Sequence, residues 1–340
     1  MVIQPKIRGF ICTNAHPVGC AEHVKEQIEY VKSLGPVTNG PKNVLVIGAS
    51  TGYGLASRIT ATFGSGAKTL GIFFEKEPTE SKTASAGWYN TAAFEQAADA
   101  AGIWNKHLNG DAFTDELKAQ AIDIIRQEMG KIDLVVYSLA APRRKDPVTG
   151  EVYSSVLKPI AQAYTAKTLN TSKREIESVS VEPASDEEIF NTVKVMGGED
   201  WERWLDQLHA AGVLAEGCQT VAYTYIGKEL TWPIYGKATI GKAKEDLDRA
   251  ATAITQKLDS VAGHAYVASL KALVTQASSA IPIMPLYISL LYRVMKEEGT
   301  HEGCIEQIYG LFQQALYNNS RTLDEGGRLR MDGKELSDHI

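Results

Sequence analysis

A tyrosine hydroxyl beside a lysine ammonium suits hydride chemistry. The phenol donates to an oxygen on which negative charge develops, and the ammonium steadies that charge and holds a nicotinamide ribose. Two Tyr-Lys pairs lie late in the chain. Tyr292 and Lys296, four positions apart, share one face of a helix. They follow the last strand-like segment and run into Glu297-Glu298-Gly299, a solvated helix end, so packing is the better reading. Tyr235 and Lys244 are nine positions apart, which on one straight helix means about 13 Å of rise. Pro233, Gly236 and Gly241 argue against a straight helix. With Tyr235 in a loop or bent first turn, Lys244 can point back toward it. Tyr225, closing the strand-like segment 219–225, offers a second hydroxyl from the sheet edge. Packing is the usual role of a tyrosine, and with 14 in the chain this pair needs a cofactor site to support it.

That site is legible upstream. Val44-Leu45-Val46-Ile47 reads as a buried parallel strand, and it breaks into Gly48-Ala49-Ser50-Thr51-Gly52-Tyr53-Gly54 before a helix resumes. Gly48 permits a tight turn, while Gly52 and Gly54 let backbone and helix approach a pyrophosphate at the helix N-terminus. The G-x-x-x-G-x-G spacing is the form used by short-chain dehydrogenases and reductases. The next strand-like run, 69–74, ends in Phe74-Glu75, and Glu75 stands 21 positions after Gly54. A carboxylate there accepts from the adenosine 2′-OH and repels a 2′-phosphate, so NADH is expected over NADPH, with Lys76 softening the preference. An ordinary acid in a surface loop is the alternative for Glu75.

These elements imply a doubly wound α/β fold with a parallel sheet. Strand-like and helical patterns alternate: strands at 44–47, 69–74, 103–107 and 132–137, and helices at 53–63, 92–101 and 114–129. The turn Asn109-Gly110-Asp111-Ala112 lies at the carboxyl edge of such a sheet, where Asp111 either meets the adenine or merely stabilises the turn. Tyr137-Ser138-Leu139-Ala140-Ala141 has small residues that let ribose and nicotinamide pass. Residues 146–182 read as inserted hairpins, 184–211 as helix with Trp201 and Trp204 on one packed face, and 239–258 as a long helix. A short strand at 264–267 leads through Leu273-Val274-Thr275 to a Pro-containing apolar helix, 281–291, that is either acyl channel or core. A last helix spans 302–317. One Rossmann-type domain is expected over 1–340, with a dinucleotide half at 43–140, a substrate and catalytic half at 141–317, and a polar, loosely held tail at 318–340.

Composition excludes several classes. At 340 residues and 44% hydrophobic content the chain buries a large core. The net charge of −6 and the lack of a basic, aromatic-interleaved stripe argue against nucleic acid. The stretch 1–11 has no secretory pattern and 280–291 is too short to span a bilayer, so a cytoplasmic protein with reduced cysteines and no membrane span is expected. Cys12, His16 and Cys20 recur at four-residue spacing, but Pro17 and Gly19 break a helix that would align them. No fourth ligand is evident, and no metal is expected.

With these motifs assembled, the chain resembles the FabV-type enoyl-acyl carrier protein reductases and the related trans-2-enoyl-CoA reductases. The glycine loop, Gly87-Trp88-Tyr89-Asn90, Val136-Tyr137-Ser138-Leu139-Ala140, Val195-Met196-Gly197-Gly198-Glu199-Asp200-Trp201 and Tyr235-x8-Lys244 carry the resemblance over nearly the whole chain. It implies NADH-dependent reduction of the C2–C3 double bond of a trans-2-enoyl thioester in fatty acid synthesis, by a monomer with an enlarged short-chain dehydrogenase fold. Tyr235 would be the proton donor, Tyr225 would contact substrate, and Lys244 with Leu273, Val274 and Thr275 would contact the cofactor. Gly48, Ala49, Ser50, Thr51, Gly52, Tyr53, Phe74, Glu75, Asp111, Ala112, Leu139 and Ala140 would line the dinucleotide site.

Two rivals use the same residues differently: a carbonyl reductase, for which Tyr-x3-Lys would have argued, and a non-catalytic NADH sensor, which has little use for Tyr235 and Lys244 together. The acyl carrier, either acyl carrier protein or CoA, stays open. An acidic carrier protein could meet Arg143, Arg144 and Lys145, or Lys237 and Lys242, and the same residues could hold CoA phosphates.

Overall fold

The four apolar residues after Asn43 alternate between two cores. Val44 and Val46 pack into a cluster on one side of the sheet, Leu45 and Ile47 into a cluster on the other, and all four are fully buried. A strand covered on both faces reads as continuous apolar sequence. The computed structural model describes residues 3–8, 11–318 and 321–340. Met1, Val2, Gly9 and Phe10 of the N-terminal stretch, and Asn319 and Ser320 of the tail, lie outside the described residues.

In chain order the main elements are α1 (Pro17–Leu34), β1 (Asn43–Ile47), α2 (Gly52–Ile59), β2 (Lys68–Phe73), α3 (Ala86–Ala100), β3 (Asn105–Asn109), α4 (Asp115–Ile124), β4 (Ile132–Tyr137), α5 (Asp186–Met196), α6 (Glu199–Ala210), β5 (Leu214–Thr224), α7 (Thr239–Lys257), β6 (His264–Ser269), α8 (Met284–Glu297), α9 (Cys304–Leu311) and β7 (Leu329–Arg330). The seven strands form one parallel sheet in the order β3-β2-β1-β4-β5-β6-β7. Helices α1, α2, α3 and α9 cover one face, and α4, α6 and α7 the other. This is the expected doubly wound fold, with its order reversing at β1, where ligands seat in such sheets. The expected hairpins are present: Arg143–Lys145 pairs with Val152–Ser154, and Tyr164–Asn170 with Glu175–Val181.

Several expectations need correction. The helix read over 184–211 is two helices, because Gly197 and Gly198 interrupt it. A Cβ at Gly198 would stand 2.1 Å from that of Ala250, so only glycine lets α7 pack there. Trp201 and Trp204 are fully buried core, as expected. Pro17 starts α1 rather than preventing it, since proline in a first turn lacks only an N–H that has no partner there. His16 Nδ1 accepts from the Gly19 N–H as the cap. Among the described residues no group of three or more His, Cys, Asp or Glu is placed to hold a metal, and no helix is long and apolar enough to cross a membrane.

The prolines near α8 set where it begins: Pro282 precedes it and Pro285 lies in its first turn. The largest correction concerns the tail. Far from loose, it contributes β7, whose Leu329 is fully buried, and it buries Asp332 and Glu335 to 1% exposure. Asp332 accepts from Ser269 Oγ at 3.0 Å and from Arg330 at 2.8 Å. Buried carboxylates need such partners, and these two supply enough to pin the segment.

Candidate active site

The glycine turn closes the carboxyl end of β1. Gly48 has φ +87°, and a Cβ there would stand 2.0 Å from the Ser138 carbonyl oxygen. At Gly54 a Cβ would stand 1.9 Å from Gly48 O. Backbone fills the space at both positions, so glycine is required for β1, α2 and the end of β4 to come this close. No side chain caps the first turn of α2, leaving its N–H groups and dipole for an anion. Thr275 lies against Gly52, its Cγ2 at 3.6 Å from where a Cβ would be. Tyr53 OH donates to Lys271 O at 2.8 Å, which ties α2 to the segment carrying Leu273, Val274 and Thr275. Leu273 is buried, whereas Val274 is 66% exposed.

Glu75 is held in place from three directions. Its N–H donates to Asn109 Oδ1 at 2.9 Å, its carbonyl accepts from Asn109 Nδ2 at 3.0 Å, and its Oε1 accepts from Ser50 Oγ at 2.7 Å. Ser50 O in turn accepts from Asn90 Nδ2 at 3.1 Å. A Cβ at Gly87 would stand 2.0 Å from Glu75 Oε1, so Gly87 opens α3 for the acid. Phe74 is 78% exposed beside it. The cradle fits a dinucleotide: an uncapped helix end reached through two glycines that no other residue can replace, and a fixed carboxylate at the next strand.

Asp111 and Ala112 follow β3 at the carboxyl edge of the sheet. Asp111 Oδ1 accepts from the Phe113 N–H at 3.0 Å, so the acid does stabilise its own turn. The Ala112 carbonyl accepts from Lys118 Nζ at 2.8 Å and Trp204 Nε1 at 3.1 Å. Lys118, fully buried, also donates to Asp200 Oδ1 at 2.8 Å, and Tyr137 OH donates to Asp200 Oδ2 at 3.1 Å. Burial raises the Asp200 carboxyl and lowers the Lys118 ammonium, each opposed by the other's charge. Thus the Gly-Gly-Glu-Asp-Trp stretch is the foundation that fixes the 111–112 turn and the end of β4, which carries the half-buried Leu139 and exposed Ala140.

On the other side, Tyr235 occupies the turns between β5 and α7, and a Cβ at Gly241 would stand 2.7 Å from Tyr235 O and 2.0 Å from Gly236 O. Glycine there lets the first turn of α7 press against Tyr235. The Tyr235 and Tyr225 rings meet edge to face, centroids 5.0 Å apart. Lys244 Nζ donates to Tyr223 O at 3.1 Å. Tyr225, Tyr235 and Lys244 therefore all gather at the carboxyl end of β5, whose neighbour β4 also pairs with the Gly48-bearing β1. Burial raises both phenols, with the Tyr225 backbone opposing it at Tyr235, and lowers the Lys244 ammonium to about 8 against the pull of Asp248. Tyr292, from the rejected pair, lies on α8, accepts from the Val274 N–H at 2.8 Å and packs against the apolar cluster of Ala272 and the buried face of α8.

The family profile described as the trans-2-enoyl-CoA reductase catalytic region matches residues 82–317, and the one described as the NAD(P)H binding domain of trans-2-enoyl-CoA reductase matches residues 2–80. The chain belongs to the trans-2-enoyl-CoA reductase family. An enoyl-[acyl-carrier-protein] reductase [NADH] of Idiomarina loihiensis is 71% identical over 338 residues, 99% of this chain and 86% of the relative. The crystal structure of Treponema denticola trans-2-enoyl-CoA reductase in complex with NAD superposes with TM-score 0.95 at 49% identity, covering 99% of this chain and 86% of that one. The Clostridium acetobutulicum enzyme in complex with NADH gives TM-score 0.96 at 45% identity, covering 99% and 85%.

Sequence reasoning missed the members of this reductase site that act at a distance. Glu335 accepts from Tyr225 OH at 2.9 Å and Tyr287 OH at 2.7 Å, and Lys118 supports Ala112. An acid in a polar tail and a lysine in an amphipathic helix carry no local signal. Arg144, offered above to an acidic carrier, is 2% exposed and donates to Glu199 and to Lys194 O. It cannot receive a partner.

Proposed function

We propose that this protein catalyses NADH-dependent reduction of the C2–C3 double bond of a trans-2-enoyl thioester. The observation that carries the reading is the gathering of Tyr225, Tyr235 and Lys244 at the carboxyl end of β5, close to the glycine cradle. Bound in that cradle, NADH supplies the hydride that C3 of the enoyl group accepts. Gly48, Ala49, Ser50, Thr51, Gly52 and Tyr53 would hold the pyrophosphate side, Phe74, Glu75, Asp111 and Ala112 the adenosine side, and Leu139, Ala140, Lys244 and 273–275 the nicotinamide side.

As charge moves to the thioester oxygen, the Tyr235 hydroxyl donates to that oxygen, and its proton, replaced from solvent, accounts for the one gained at C2. Tyr225 shapes the substrate side, and Lys244 holds positive charge nearby. Burial keeps both phenols protonated at neutral pH, which is the form a donor needs. The apolar face of α8, with Met284, Ile288 and Leu291 against Tyr225 and Ile281, suits an acyl chain.

The carrier proposed is acyl carrier protein, supported by the higher identity of relatives bearing that name. Arg143, Lys145 and Lys237 are exposed and free to meet its acidic surface. Following NADH absorbance with crotonyl and acetoacetyl thioesters tests the reaction: turnover on crotonyl with none on acetoacetyl is expected, and the reverse would identify a carbonyl reductase. The same crotonyl group on CoA and on carrier protein tests the carrier, with higher kcat/KM expected on the protein.

A further inference from the structure

The site described so far uses Tyr225 but leaves its hydroxyl tied elsewhere. That hydroxyl donates to Glu335 Oε1 at 2.9 Å, and the same oxygen accepts from Tyr287 OH of α8 at 2.7 Å. The second oxygen, Oε2, accepts from the Ala272 N–H at 2.6 Å. Glu335 is 1% exposed. A buried carboxylate reaching three donors from three separate segments is fixed in place.

We infer that Glu335 is the positioning residue for Tyr225: it sets the direction of the phenol proton and, through Tyr287, couples that direction to the helix proposed to line the acyl chain. The inference rests on the proposed substrate role of Tyr225. A phenol has one proton, so while Tyr225 donates to Glu335 it presents only a lone pair to the site. Engaging a thioester oxygen requires the proton to swing away. Tyr287 then keeps Oε1 satisfied, which removes the penalty of a stranded carboxylate. At Gly227, φ +65°, a Cβ would lie 2.4 Å from Tyr225 OH, so glycine is required for the 225–231 turn to close over the hydroxyl where it sits.

Glu335→Gln keeps the shape, removes the charge and puts a donor where three donors now converge. The expected result is a fall in kcat/KM for crotonyl thioester of about tenfold, reduced to under about threefold in a Tyr225→Phe background, because residues acting through one contact are non-additive. NADH affinity, read by fluorescence titration, is expected to stay within about twofold, since the cradle contacts survive. Additive losses, an unchanged kcat/KM, or a parallel loss of NADH affinity transmitted through Ala272 would each overturn the inference. If Tyr225→Phe alone leaves kcat/KM intact, the substrate role of Tyr225 fails instead. Should Glu335→Gln not fold, Tyr287→Phe touches the same oxygen. It is expected to change kcat/KM by about threefold only when Tyr225 is present, and the same change in Tyr225→Phe would overturn the inference.

Discussion

Between Gly48 and Glu75 the cofactor cradle comes from one stretch of chain, with Ser50 and Glu75 bonded directly, whereas Tyr225 and Glu335, which meet on the substrate side, stand 110 positions apart. The cradle does one task for every dinucleotide, and its constraints are backbone constraints: turns, close approach, an uncapped helix. The substrate side must place hydroxyls around a particular acyl group, and it recruits the end of β5, the turns before α7, α8 and the tail. A common ligand can be met by a local motif, while a particular one calls for parts from across the fold.

If the two sides divide the labour this way, variants should separate binding from turnover. The largest effect is expected at Tyr235. Tyr235→Phe should lower kcat by about 10²- to 10³-fold, the usual result of removing one donor to a developing oxyanion, while NADH binds as before. A variant retaining more than about a tenth of the wild-type rate would remove Tyr235 from that role.

On the cofactor side, Glu75→Gln should leave crotonyl turnover with NADH largely intact and shift the NADH-to-NADPH preference by about tenfold or more, because the repulsion of the 2′-phosphate is lost. Ratios of kcat/KM with the two cofactors read this directly. An unchanged ratio would mean that the carboxylate serves only to anchor Ser50.

The smallest effect sharpens the junction between the two sides. With the Lys244 ammonium lowered to about 8 by burial, kcat/KM should be flat below that pH and fall as pH rises through it, by about tenfold near pH 9. Stability should move the other way. The unfolded lysine binds its proton more tightly, so between about 8 and its ordinary value near 10.5 the folded state gains as pH rises. A profile flat to pH 10 would mean that Lys244 charge is not needed.

Legibility in sequence followed the same division. Glycine spacing, the acid after the second strand and the alternation of strand and helix revealed the cradle, because each is a local constraint. Tyr225, Tyr235 and Lys244 were singled out through their chemistry and a family resemblance, since loop geometry between 225 and 239 has no periodic signature. The break at Gly197-Gly198 was missed although both glycines stand in the sequence, because what requires glycine there is Ala250 on another helix. Glu335 was missed because a buried acid and a solvated acid look alike in a polar segment. Its burial among Tyr225, Tyr287 and Ala272 distinguishes them.

The most direct test of the meeting of the two sides uses NADH carrying deuterium at both C4 positions with crotonyl thioester, and product analysis by NMR. Deuterium from the cofactor is expected at C3, with a solvent-derived proton at C2. Cofactor deuterium at C1, C2 or nowhere in the product would contradict this.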